Sequence, residues 1–183
     1  MNPTEKESRM NRIVPVLAVS LAACLLTVAA AAATRTQLKP QNITMTFVTI
    51  NGKNKPVHVV ASGPISGTAT ETQTEKNTAT GQINYATLHF ANGTVRFKAP
   101  ETFAWLPNLK TCSAIAKGGG TFTITGGTGA FKRATGKGTF TDRGTLLGAR
   151  SASGQCLGPK THAPPKRITL TITMTGNAAV PSS

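Results

Sequence analysis

The run Ile168-Thr169-Leu170-Thr171-Ile172-Thr173-Met174-Thr175 alternates without a break. As a strand it places four apolar side chains on one face and four threonines on the other, the pattern of a half-buried sheet. β-branched threonine suits an exposed pleated face. The same alternation occurs where Ile43, Met45 and Phe47 interleave with Thr44, Thr46 and Val48. It occurs again where Phe122 and Ile124 interleave with Thr121, Thr123 and Thr125. No sustained helical period follows residue 34. Further strands are expected at 57–62, 65–75, 80–85 (running into a hairpin strand at 87–91), 112–116 and 135–142, with a weaker candidate at 146–151.

One hairpin can be registered. Segments 87–91 and 94–98 flank Asn92-Gly93, the preferred pair for a two-residue type I′ turn. That turn would pair Phe90 with Val95 and Leu88 with Phe97 on one face, and place His89, Arg96 and Lys98 on the other. Eight or so short strands with glycine punctuation predict an all-β fold, either a closed barrel or a sandwich. Gly118, Gly120, Gly136 and Gly138 share faces with Phe122, Ile124 and Phe140, as a tapering barrel interior requires. Two stretches look less regular. Residues 99–110 carry two prolines and the only tryptophan, Trp105, and 154–166 form a basic, proline-rich loop. The ends, 34–39 and 177–183, read as flexible.

The N-terminus reads as a secretory signal peptide. Lys6, Arg9 and Arg12 supply its basic start, an uncharged apolar stretch follows from Ile13, and residues 29–33 are all alanine. Cleavage is expected after Ala33. A retained membrane helix is the alternative, since about 20 apolar residues suffice to span a bilayer. A second alternative is a lipobox, Leu21-Ala22-Ala23-Cys24, in which Cys24 would carry a lipid. The resulting organisation is a signal peptide at 1–33, a linker at 34–40, one barrel domain at 41–176 and a tail at 177–183. Export leaves Cys112 and Cys156 as a pair in an oxidising compartment, and a disulfide is expected between them. Neither lies in a C-x-x-C motif. The protein is therefore expected to be secreted or extracytoplasmic, or lipid-anchored if Cys24 is the first mature residue.

The chain holds 20 Lys and Arg against 6 Asp and Glu, a net charge of +14. Beyond residue 33 the only acids are Glu71, Glu75, Glu101 and Asp142. For an exported protein this imbalance favours anionic envelope polymers or lipid headgroups as partners, rather than nucleic acid.

The most distinctive stretch is an alternating strand followed by Gly126-Gly127-Thr128-Gly129-Ala130-Phe131-Lys132-Arg133-Ala134-Thr135-Gly136-Lys137-Gly138. Gly126, Gly127 and Gly129 permit a sharp turn, Phe131 can tuck into the core, and Ala134 allows close packing. It is not a phosphate cradle. Gly136-Lys137 is followed by Gly138 rather than Ser or Thr, position 131 is Phe where a P-loop has glycine, and no strand–helix unit surrounds a G-x-G-x-x-G. The motif resembles the allene oxide cyclase and dirigent barrel family, in particular its bacterial exported members. The runs at 63–68 (Gly-Pro-Ile-Ser-Gly-Thr) and 88–94 (Leu-His-Phe-Ala-Asn-Gly-Thr) add to the resemblance. It implies an eight-stranded antiparallel barrel with an internal cavity. The family's cyclisation and radical-coupling activities rest on cavity side chains that this motif does not contain, so no catalytic residue is carried over.

Other chemistry has little support in the sequence. His58, His89 and His162 are isolated and read as surface residues, and no metal or cofactor is indicated. Glu71 and Glu75 share a strand face and read as a solvated pair. Glu101 and Asp142 could each project into a barrel mouth. No nucleophile-elbow G-x-S-x-G is present. The leading expectation is a non-catalytic exported barrel that binds a small apolar or amphipathic ligand. A cyclase or isomerase acting on a hydrophobic substrate is one alternative. A basic protein binding an anionic envelope polymer or lipid is the other.

Overall fold

The computed structural model describes residues 37–157 and 163–181. The signal peptide, Cys24 and His162 lie outside them. The described chain is all-β. In sequence order the strands are β1 (Lys39–Ile50), β2 (Lys53–Asn54), β3 (His58–Ser62), β4 (Gly67–Thr78), β5 (Gly81–Phe90), β6 (Gly93–Asn108), β7 (Ser113–Gly127), β8 (Thr135–Leu147) and β9 (Arg167–Ala179). Every neighbouring pair is antiparallel, and β9 pairs back onto β1 from Lys39↔Ala178 to Ile50↔Arg167. This closure decides between sandwich and barrel. Eight strands form a closed barrel, and β2 is a two-residue extension hydrogen-bonded to the end of β1. Closure pairs the long strands on both sides, except β4, which beyond Ala69 pairs only with β5.

The core follows from the alternation. Ile43, Val59, Leu88, Val95, Phe97, Phe122, Ile124 and Met174 are all buried on the inner faces. Phenylalanine and glycine face each other across β7 and β8. Phe122 is opposite Gly138, Phe140 opposite Gly120, and Ile124 opposite Gly136. Each large side chain thus fills the space its glycine partner leaves, as the shared faces predicted.

The hairpin at Asn92-Gly93 keeps its faces but not its register. Leu88 pairs with Val95, Phe90 with Gly93 and Ala86 with Phe97, so the turn residues are Ala91 and Asn92. Leu88, Phe90, Val95 and Phe97 are still all buried, because a shift of two residues preserves the side-chain parity. The cause is tertiary. The β7–β8 connection folds over the hairpin, with the Thr128 N–H donating to the Thr94 carbonyl at 2.9 Å and the Ala130 N–H to the Asn92 carbonyl at 2.9 Å. A side chain on Gly93 would strike the Thr128 carbonyl. The type I′ conformation occurs instead at Asn51-Gly52, where both φ values are positive, 49° and 75°.

Several boundaries are corrected. Residues 99–108, expected to be irregular, continue β6 through Pro100 and Pro107. The β6–β7 ladder pairs Lys98 with Thr123 and Glu101 with Gly120, and skips Ala99 and Pro100, the latter having no N–H to give. The segments at 80–85 and 87–91 run together as the one strand β5, as expected. Residues 112–116 likewise join the Phe122 strand as β7. β8 runs on to Leu147, and beyond it the weak 146–151 candidate supplies only a bridge between Arg150 and Cys156. Lys39 and Pro40, read as linker, and residues 177–179, read as tail, are strand. They pair with each other, and Ala178 and Ala179 are buried.

One end of the barrel is closed. The 3-10 turn Gly129–Phe131 buries Phe131 against Phe90, with ring centroids 5.0 Å apart. Gly129 has φ 58° and lies against the Asn92 backbone, and Ala134 is fully packed. The motif at 126–134 is therefore a structural turn. Gln41, 1% exposed, completes this end: its amide donates to the Ser62 and Ile65 carbonyls, both at 2.8 Å, and its oxygen accepts the Ile65 N–H at 2.8 Å.

At the opposite end Cys112 and Cys156 form a disulfide, with Cα atoms 5.3 Å apart and a sequence separation of 44. It ties the β6–β7 hairpin to the segment after β8, and it is consistent with an extracytoplasmic location. Replacing both cysteines by alanine is expected to lower unfolding free energy by roughly 3–4 kcal/mol, the loop-closure entropy of a link this long. Urea unfolding of the two forms measures it, and a difference below about 1 kcal/mol would show that the link does not constrain the unfolded chain.

Candidate functional site

The inner face changes character along the barrel. Near the closed end it is apolar apart from Gln41. Toward the disulfide end it carries carboxylates and amides. On β4 the threonines Thr68, Thr70, Thr72 and Thr74 point outward, so Ala69, Glu71, Gln73 and Glu75 share the inner face. Glu71 pairs with the buried Leu88. On β5, Gln82 and Asn84 continue the inner face toward the same end. Glu101 pairs with Gln82 across β5–β6 and with Gly120 across β6–β7. Asp142 pairs with Gly118 and with Ile172. All four acids beyond residue 33 therefore face one end of the barrel interior.

These side chains border a half-open cavity of about 450 Å³, lined by Phe47, Gln73, Glu75, Gln82, Asn84, Glu101, Phe103, Leu170 and Ile172. Behind it is a narrow pocket of about 30 Å³, bordered by Glu71, Ala86, Leu88, Phe97, Ala99, Phe140 and Met174, with room for a water molecule. The two share Gln73, Asn84 and Ile172 as lining. The larger volume falls within the range of small-molecule sites. Trp105 packs edge-on against Phe103, with ring centroids 5.6 Å apart, and so sits one ring away from the cavity wall.

Glu101 is the hub of the polar network. Gln82 donates to it at 3.1 Å, and Asn84 donates to the same oxygen. Asp142, 2% exposed, is the deepest acid. When ionised, neither of its oxygens has a donor. When protonated, it hydrogen-bonds to Glu101. Burial raises its pKa first, and the hydrogen bond and charge of Glu101 raise it further. Gly118 provides the room: a side chain there would lie 2.9 Å from the Asp142 Oδ2 and 2.8 Å from the Phe103 ring. Glu71 stands apart from this pair. Burial pushes its carboxyl up to about 7, and its inner oxygen has no hydrogen-bond partner.

Glu71 is thus not half of a solvated pair. It is inside the barrel, and only Glu75 is exposed, at the rim. Glu101 and Asp142 do reach the interior, and they do so together. Gln82 and Asn84 carried no sequence signal, because they alternate with outward Ile83 and Tyr85 against the usual pattern. His58 and His89 are on the outer surface, the latter hydrogen-bonded to Thr72 at 3.0 Å. Among the described residues no three His, Cys, Asp or Glu side chains are placed to hold a metal ion.

The chain is thus a closed β-barrel with a cavity at one end, apolar on its walls and lined by carboxyls and amides. No known protein-family model matches it, and neither a curated protein nor a solved structure does.

Proposed function

We propose that the barrel is an exported carrier or receptor for a small amphipathic molecule. The ligand's apolar part lies between Phe47, Phe103, Leu170 and Ile172, and its polar group meets the Glu101 network. The observation that carries this reading is the cavity of about 450 Å³ with apolar walls and convergent polar groups. The glycine-rich turn at 126–134 and the eight-stranded closure support placing the chain among allene oxide cyclase/dirigent-like barrels. The uncharged segment after Ile13 and the Cys112–Cys156 link support export.

The test uses Trp105, the only tryptophan. Adding decanol to the purified protein is expected to shift Trp105 emission saturably, and native mass spectrometry is expected to show a one-to-one complex. Unchanged emission and no complex up to the solubility limit would reject the reading.

A second reading is an acid–base enzyme, a cyclase or isomerase. It is favoured by Glu71 and Asp142, two buried carboxyls that hold protons unusually far up the pH scale, the first of them lining the inner pocket. Incubating a ligand recovered from the native protein with fresh protein would test it. A change in the ligand's chromatographic retention without a change in mass supports an isomerisation, and recovery of unaltered ligand rejects one.

A further inference from the structure

The charge of this protein is sorted by side of the wall. Lysine and arginine outnumber the acids several-fold, yet neither cavity nor inner pocket has a Lys, Arg or His among its lining residues. Three of the four acids beyond residue 33, Glu71, Glu75 and Glu101, line them. The fourth, Asp142, is 2% exposed, has no donor for either oxygen, and reaches the lining residue Glu101. Chance would place cations among these residues. A site for a fatty-acid carboxylate would need them.

We propose that the cavity selects ligands with a cationic head, a protonated amine on an apolar body, and discriminates against carboxylates of the same shape. The inference rests on the ligand-binding reading above and names the class of ligand. An ammonium group at the Glu101 end would have the Glu101 and Glu75 carboxylates as acceptors, with Glu71 deeper in. The inner oxygen of Glu71 has no donor; a buried carboxylate so placed is costly, and a cation with N–H groups supplies both missing terms, charge and hydrogen bonds. A neutral alcohol supplies only hydrogen bonds. A carboxylate supplies neither and adds like-charge repulsion in a poorly solvated space. Long-range attraction from the basic exterior works the other way, but salt screens it over roughly 8 Å at physiological ionic strength.

Calorimetric titration with decylamine, decanol and decanoate at 0.15 M salt and pH 7.5 tests this, since the three share one apolar chain. Decylamine is expected to bind one-to-one at least about tenfold more tightly than decanol, with decanoate weakest. Tenfold corresponds to about 1.4 kcal/mol. Glu75→Gln at the exposed rim should fold normally and narrow the gap between amine and alcohol. Glu101→Gln should narrow it further. Decanol binding with no preference for decylamine, or with decanoate as tight as decylamine, would overturn the cation inference and leave the ligand-binding reading standing. Absence of binding by all three would overturn both.

Discussion

A single methyl group at Gly138 is expected to cost the barrel about 3 kcal/mol or more. A Cβ built there overlaps the Thr175 carbonyl oxygen and falls 2.7 Å from both the Gly176 Cα and the Phe122 ring. Two of the three obstacles are backbone on the neighbouring strand β9, where Gly138 pairs with Gly176. They cannot rotate away as a side chain could, so the strands must part. Overpacking in a well-filled core costs roughly 1–3 kcal/mol, and more when backbone must move. Gly154→Ala is the comparison. Its added methyl meets nothing within 4 Å, and the cost arises only from its φ of 82°, about 1 kcal/mol. Chemical denaturation of both variants measures the contrast. Equal losses would mean that the Phe–Gly interlock of β7, β8 and β9 does not limit stability.

The second large effect is on pH dependence. Glu71 has its pKa pushed from 4.5 to about 7 by burial. Between these values the folded protein keeps a proton that the unfolded chain has lost. Stability should therefore fall as pH rises from about 4.5 to 7 and level off above, the reverse of the common salt-bridged carboxylate. The full displacement corresponds to roughly 3 kcal/mol. Asp142 is raised as well and acts in the same direction. Glu71→Gln removes the ionisation, so it should be more stable than the parent at pH 8 by about 2–3 kcal/mol and nearly equal to it at pH 4.5. Thermal unfolding across pH 4.5–8 follows both proteins. A parent whose stability rises with pH through this window, or a glutamine variant with an unchanged profile, would show that Glu71 is solvated.

Much of this architecture is legible in the sequence, because period-2 alternation with threonine leaves few choices of face. The inward set of β9, the Phe–Gly sharing of β7 and β8, and the Cys112–Cys156 link all follow from local pattern or cysteine count. What escaped was set by contacts distant in sequence. The hairpin at Ala91–Asn92 lost its type I′ turn to the β7–β8 connection that folds over it. The stretch around Pro100 looked broken because proline cannot serve a ladder, yet β6 needs only to skip there. The site was half legible. Threonine marks the outer face nearly throughout, and on β4 that rule turns Glu71 inward. The assumption that charged pairs are solvated obscured this. Gln82 and Asn84 had no such marker, since their role depends on the β5–β6 register that brings them to Glu101.

The carboxylate end of the barrel interior is the proposed ligand site. Methyl NMR during a decanol titration tests it most directly. Signals from Ala86, Leu170, Ile172 and Met174 should shift together and saturate. Those from Ile43 and Ile65 near the closed end, and from exposed Leu106, Ile115 and Leu147, should stay in place. Shifts confined to Leu106, Ile115 and Leu147, with the cavity methyls unmoved, would place binding on the outer surface instead.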